Sequence, residues 1–169
     1  MKKKDLIFSL LAMFGLVCVG GWYFISQNQA QAVKAEARKA FIQSSRPTIF
    51  FHGWGSSSRA ERHMANAAID AGVTKTIIDA KVDKDGQVTL DGSIPKDAIN
   101  PIVLVNFDKN RGASTQDQGN YAHAVVKALQ DNYGITEMNM VGHSYGNMAI
   151  VYYMLQHGSD KTLPKLVKQ

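Results

Sequence analysis

Residues 135–156 read ITEMNMVGHSYGNMAIVYYMLQ, and the fold follows from how this stretch changes character halfway along. Ile135 to Val141 predicts a strand. Tyr145 to Gln156 predicts a helix whose apolar residues, among them Met148, Ile150, Val151, Tyr152 and Leu155, run nearly all round it. A helix of that kind belongs in an interior rather than on a surface. The junction is Gly142-His143-Ser144-Tyr145-Gly146, a G-x-S-x-G pattern joining strand directly to helix. In that context it predicts a turn too tight for side chains at Gly142 and Gly146. The turn lifts the Ser144 hydroxyl above the sheet, at the positive end of the following helix. Ser144 is therefore a candidate nucleophile.

Upstream, the same alternation recurs. Ser114 and Asp117 stand at capping-box spacing and open a helix that Gly134 ends, with Tyr121, Ala124, Val125, Ala128, Leu129 and Tyr133 on one stripe. Ile102 to Phe107 and Thr76 to Val82 read as strands. Asp83-Lys84-Asp85-Gly86 reads as a turn into a short hairpin strand, Gln87–Leu90. Its acidic residues hint at a calcium loop, but that register would put Lys81 at the first ligand position and Gly92 at the last, where neither serves. Thr48 to His52 is another short buried strand. Ser58 and Glu61 again show capping-box spacing, opening a helix to about Ala71 with Met64, Ala67, Ala68 and Ala71 at helical spacing. Leu163–Val167 resembles the approach to one more strand. Strands alternating with helices predict an α/β fold with a mostly parallel sheet covered on both faces.

The first 46 residues are of a different kind. Leu6 to Ile25 carries no charge, and as a helix it would span about 30 Å, the thickness of a bilayer's hydrocarbon core. Lys2, Lys3 and Lys4 precede it, Trp22 and Tyr23 suit the interface, and the arrangement predicts a basic cytoplasmic tail (1–5), a transmembrane anchor (6–25) and an exported remainder. A secretory signal cleaved near Ala32 is the rival; the length of the apolar run favours a retained anchor in the lipid bilayer. Residues 26–46, rich in Gln, Ala and Lys, read as a stalk ended by Pro47, leaving 47–169 as the domain. The formal net charge is +5, much of it from those three lysines, with no Lys/Arg block elsewhere, so no nucleic-acid partner is expected. Cys18 is the single cysteine, which excludes an intrachain disulfide; it reads as lipid-facing.

The second chemical motif is His52-Gly53-Trp54-Gly55, directly after the first domain strand. A glycine-rich turn there frees backbone N–H groups from the sheet. Paired with the N–H of Tyr145, that of Trp54 would hold the negative oxygen of a tetrahedral intermediate. These two motifs, with the strand ending Asn106-Phe107-Asp108, resemble the α/β-hydrolase superfamily over 47–169. In particular they resemble the small membrane-anchored cell-surface esterases of lactic-acid and related Gram-positive bacteria. The resemblance implies an exported serine hydrolase of small acyl esters, with Ser144 as nucleophile, Trp54 and Tyr145 as oxyanion donors, and no cofactor. In that family the triad acid and histidine follow later strands, so both are expected beyond Gln169. This chain alone is then expected to show little or no turnover. The rival is a catalytically silent, truncated or membrane-bound product with at most a binding role.

The histidines present offer no replacement. His143 adjoins Ser144 but should point elsewhere from a sharp elbow, and His52 reads as stabilising its turn. His63, His123 and His157 read as surface or helix-end residues, and no group has metal-ligand spacing. Asp108 closes a strand and reads either as capping its loop or as lying near the site mouth, where without a histidine to orient it cannot serve as a triad acid.

Overall fold

The computed structural model describes the backbone of residues 3–169, and their side chains apart from those of 3–15, 18, 37 and 38. The chain forms two units. The first is one helix, α1 (Lys3–Ala40). Among the described residues no helix is long and apolar enough to cross a membrane. Half of the span expected over Leu6–Ile25, together with Cys18, lies outside the residues whose side chains are described.

The second unit, Phe41–Gln169, contains β1 (Thr48–Phe51), α2 (Arg59–Asp70), β2 (Ile77–Val82), β3 (Val88–Asp91), β4 (Ile102–Phe107), α3 (Thr115–Tyr133), β5 (Glu137–Gly142), α4 (Gly146–His157) and β6 (Lys165–Lys168). Residues before Pro47 are tied to it: Asn100 N–H donates to the Ser44 carbonyl at 2.6 Å, and Arg46 pairs with Glu137 at 2.7 Å.

The strands form one sheet in the order β3-β2-β4-β1-β5-β6. All neighbours run parallel except β3, which folds back on β2. The hairpin expected after Val82 is thus present. Asp83 Oδ1 accepts the N–H groups of Asp85 and Gln87, and Gly86 supplies the left-handed residue at φ +85°.

The period of two along each strand sorts side chains between two cores. Ile49, Phe51, Val103, Val105, Met138 and Met140 face α3 and α4, which contribute Tyr121, Ala122, Val125, Val126, Leu129, Ala149, Ile150 and Tyr153. Ile102 and Leu104 pack with Ala65 of α2 in a smaller core, against Phe50, Ala68 and Ile77. The connection from β1 runs through α2 on one face, and that from β5 runs through α4 on the other. The crevice beyond the carboxyl ends of β1 and β5 is therefore a topological switch point, where open α/β sheets bind ligands.

Three helical expectations need correction. α2 buries Glu61 and Ala65 and leaves Met64 and Ala67 exposed, because it meets the sheet through its small residues. Its capping box is not formed: the Ser58 side chain makes no cap, and its N–H donates to Asn106 Oδ1 at 3.3 Å. α4 is not buried all round. It sinks Ala149, Ile150 and Tyr153 against α3 and the sheet, while Leu155 on the outer side is 75% exposed. By contrast, Ser114 and Asp117 form the full reciprocal box on α3, and Gly134 ends that helix at φ +65°.

Candidate active site

Ser144 stands at the carboxyl end of β5 with φ +52°, one of two non-glycine residues with positive φ among those described. That conformation brings Cβ close to the following carbonyl, at roughly 1–2 kcal/mol. The surrounding turn enforces it. His143 N–H donates to the Phe51 carbonyl at 2.9 Å, which registers the elbow on β1. Asn147 Nδ2 donates to the carbonyls of Gly142 at 2.9 Å and Ser144 at 3.0 Å. A methyl on Gly142 would lie 2.7 Å from the Asn147 nitrogen, and one on Gly146 2.8 Å from the His52 carbonyl oxygen, with the Phe51 oxygen closer still. The glycines are steric necessities. The Ser144 side chain is exposed.

The loop after β1 lies against this hydroxyl. A methyl placed on Gly53 would be 3.4 Å from Ser144 Cβ and 3.9 Å from its Oγ. His52, 2% exposed, organises the loop with both ring nitrogens: Nε2 accepts from the Phe107 N–H at 3.0 Å. Nδ1 therefore carries the proton and donates to the Gly53 carbonyl at 2.8 Å. Gly55, at φ +66°, donates its N–H to the Asn110 carbonyl at 3.0 Å, and Asn110 Nδ2 donates to the Ser56 carbonyl at 2.6 Å. Trp54 stands out from the loop under Arg111, whose Cζ is 5.3 Å from the ring centroid. Within the described residues no acceptor takes the N–H of Trp54 or of Tyr145.

No histidine among the described residues is hydrogen-bonded to Ser144. His143 turns away from it, its Nδ1 lying 3.1 Å from Glu61 Oε1. His123 and His157 are brought together far along α3 and α4, their rings stacked with centroids 3.9 Å apart. Desolvation, then the neighbouring His157, holds His123 below the usual imidazole range. Burial pushes the nearby Tyr153 up to about 12. His63 is exposed on α2. Asp108 pairs with Lys81 at 3.2 Å and its N–H donates to the Val82 carbonyl. Glu61, whose spacing to Ser58 predicted a local cap, instead lies buried against His143.

A parallel sheet with helices on both faces, a strained serine at a strand-to-helix elbow and a glycine loop beside it define the α/β-hydrolase class. Residues 35–169 match the alpha/beta hydrolase family of unknown function DUF915, and the chain belongs to that family. Among solved structures, the lin2722 gene product of Listeria innocua is 30% identical, with a TM-score of 0.68 over 73% of this chain and 49% of that one. A protein provisionally named a cell surface hydrolase, from Lactobacillus plantarum WCFS1, is 21% identical, with a TM-score of 0.60 over 73% of this chain and 50% of that one. The chain thus spans about half the length of these structures. No curated protein matches it.

Proposed function

We propose that this chain supplies the nucleophile half of an extracytoplasmic serine hydrolase acting on small acyl esters, tethered to the bilayer through residues 6–25. The observation that carries this reading is the approach of the Gly53 backbone to Ser144, which puts the His52–Gly55 loop beside an exposed hydroxyl on a strained elbow. In the reaction Ser144 Oγ attacks the ester carbonyl carbon, and the carbonyl oxygen becomes an oxyanion between the N–H groups of Trp54 and Tyr145. Collapse expels the alcohol and leaves an acyl-serine, which water hydrolyses. The base that takes the serine proton, and the acid that orients it, come from outside these 169 residues. The name of the Lactobacillus relative favours a cell-surface location.

A second reading is favoured by the histidines. Both nitrogens of His52 are taken by backbone groups, and Nδ1 of His143 faces Glu61. On this reading the chain by itself is catalytically silent, since removing a triad base costs on the order of 10⁴–10⁶ in rate. One assay tests both: hydrolysis of p-nitrophenyl butyrate and fluorophosphonate labelling, each on the 169-residue chain and its Ser144→Ala variant. The expected result is slow labelling that disappears in the variant. Equal labelling of the two proteins would remove Ser144 from the mechanism; rapid turnover by the wild type would refute the need for a base from elsewhere.

A further inference from the structure

The loops after β4, β1 and β5 leave three neighbouring strands at the same end of the sheet, on the order of 5 Å from one strand to the next. The loop after β4 is laced to the His52–Gly55 turn. Phe107 N–H donates to His52 Nε2 at 3.0 Å, Gly55 N–H to the Asn110 carbonyl at 3.0 Å, and Asn110 Nδ2 to the Ser56 carbonyl at 2.6 Å. Arg111 follows directly, and its guanidinium is held on two sides. Its Cζ stands 5.3 Å from the centroid of the Trp54 ring, which is itself 61% exposed. A methyl on Gly55 would lie 3.0 Å from Arg111 Nε, so the glycine leaves the room the side chain occupies. Three cations stand on this loop or face it. Lys81 pairs with Asp108 at 3.2 Å and Lys109 with Asp117 at 3.5 Å, whereas among the described residues no carboxylate pairs with Arg111.

We propose that Arg111, seated on Trp54, is a specificity-determining residue that binds a carboxylate carried by the ester a few bonds from its scissile carbonyl. A guanidinium stays charged in proteins and offers a planar fork of donors that matches a carboxylate. The contact with Trp54 engages its charge through the ring's π face, and among the described residues no acceptor takes any of its N–H donors. The fork is therefore left for a ligand. Its place follows from Trp54, whose backbone N–H is the donor assigned to the oxyanion and whose ring carries the guanidinium. Covalent geometry then puts Cζ no more than about 12 Å from that N–H, a distance the half-ester of a short dicarboxylic acid spans. One guanidinium balances one charge. A phosphate group, at about −1.5 to −2, would call for a second open cation on this loop, and Lys81 and Lys109 are both taken. The consequence for specificity rests on Ser144 and the Trp54 N–H acting as proposed above; the carboxylate site on Trp54 does not.

The test uses the full chain in detergent. Trp22→Phe leaves Trp54 as the only indole fluorophore, and Ser144→Ala prevents turnover. Monoethyl succinate, ethyl butyrate and ethyl 3-phosphonopropanoate are each titrated against Trp54 fluorescence at low salt. Monoethyl succinate should bind about tenfold tighter than ethyl butyrate, as one charge-assisted contact provides, and the preference should shrink in high salt because the site is exposed. Arg111→Gln should abolish the preference, and Arg111→Lys, which keeps the charge without the fork, should keep only part of it. Equal binding of the charged and neutral esters with Arg111 in place overturns the proposal, and this comparison needs no Arg111 variant to fold. Tighter binding of the phosphonate overturns the choice of carboxylate, and a preference unchanged in Arg111→Gln overturns the assignment to that residue. In the chain with Ser144 intact, a carboxylate-bearing fluorophosphonate should label Ser144 faster than a neutral one of the same length. No labelling by either, with the titrations as expected, refutes the nucleophile and leaves the carboxylate site standing. Labelling by both at equal rates keeps the nucleophile and removes Arg111 from specificity.

Discussion

Replacing Ser144 with glycine should make the protein more stable. At φ +52° the serine occupies the left-handed region, at a cost of roughly 1–2 kcal/mol for a residue with a Cβ. Glycine removes that cost but loses about 0.5–1 kcal/mol more conformational entropy on folding. The net gain is about 0.5–1 kcal/mol. Nothing holding the elbow is lost, because Asn147 bonds the carbonyls of Gly142 and Ser144 rather than the hydroxyl. Ser144→Ala keeps the Cβ, hence the strain, and should stay within about 0.5 kcal/mol of wild type. In urea titrations of the full chain, with a slope of about 2 kcal/mol/M, the glycine variant should unfold some 0.3–0.5 M later than the alanine variant. Strain of this kind persists only where the surrounding structure over-determines the residue. Coincident midpoints for the two variants would show that the elbow is relaxed, and the argument from strain would fail.

Gly146→Ala sets a methyl 2.8 Å from the His52 carbonyl oxygen and nearer to that of Phe51; it should cost about 3 kcal/mol or more and reduce soluble yield, measured by urea unfolding. Ser114→Ala removes an intact capping box and should cost about 1 kcal/mol, seen as a Tm lower by a few degrees. Acid should weaken the α3–α4 contact through His123. Its folded pKa lies below the unfolded value near 6.5, so the unfolded chain takes up protons first and stability falls as pH drops below about 6.5 toward the folded pKa. His123→Gln should flatten the stability profile over that range, and an unchanged slope would locate the acid sensitivity elsewhere.

The sheet was legible because its signals are local. Ile102–Val105 is an unbroken apolar run in a strand that lies inside the sheet between β2 and β1, where both faces are covered. Gly86 in the turn between β2 and β3 and Gly134 at the end of α3 have the positive φ that their neighbours' pattern required. Helix faces were less legible. Along α2 the alanines and Met64 offer nearly equal stripes, and only the depth of the sheet beneath decides that Ala65 is buried while Met64 is out. For α4, hydropathy all round could not show that neighbours lie on one side alone, against α3, β1 and β5. The elbow was readable for the same reason as the strands: five consecutive residues carry both its geometry and its chemistry.

Glu61 shows where such reading stops. Ser114–Asp117 and Ser58–Glu61 have the same spacing and the same donor and acceptor types, yet only the first forms the box. The difference is the rival each acidic side chain meets. Asp117 is a solvent-facing residue with Lys109 at 3.5 Å, so the local Ser114 N–H is the best donor within reach. Glu61 faces the interior, where a backbone donor taken by Asn106 competes with an imidazole 82 residues away in sequence. A capping pattern thus specifies a cap only where the helix start meets water. At the start of α2 Asn106 Oδ1 takes the Ser58 N–H, so the same pair leaves Glu61 against His143 instead of closing a cap.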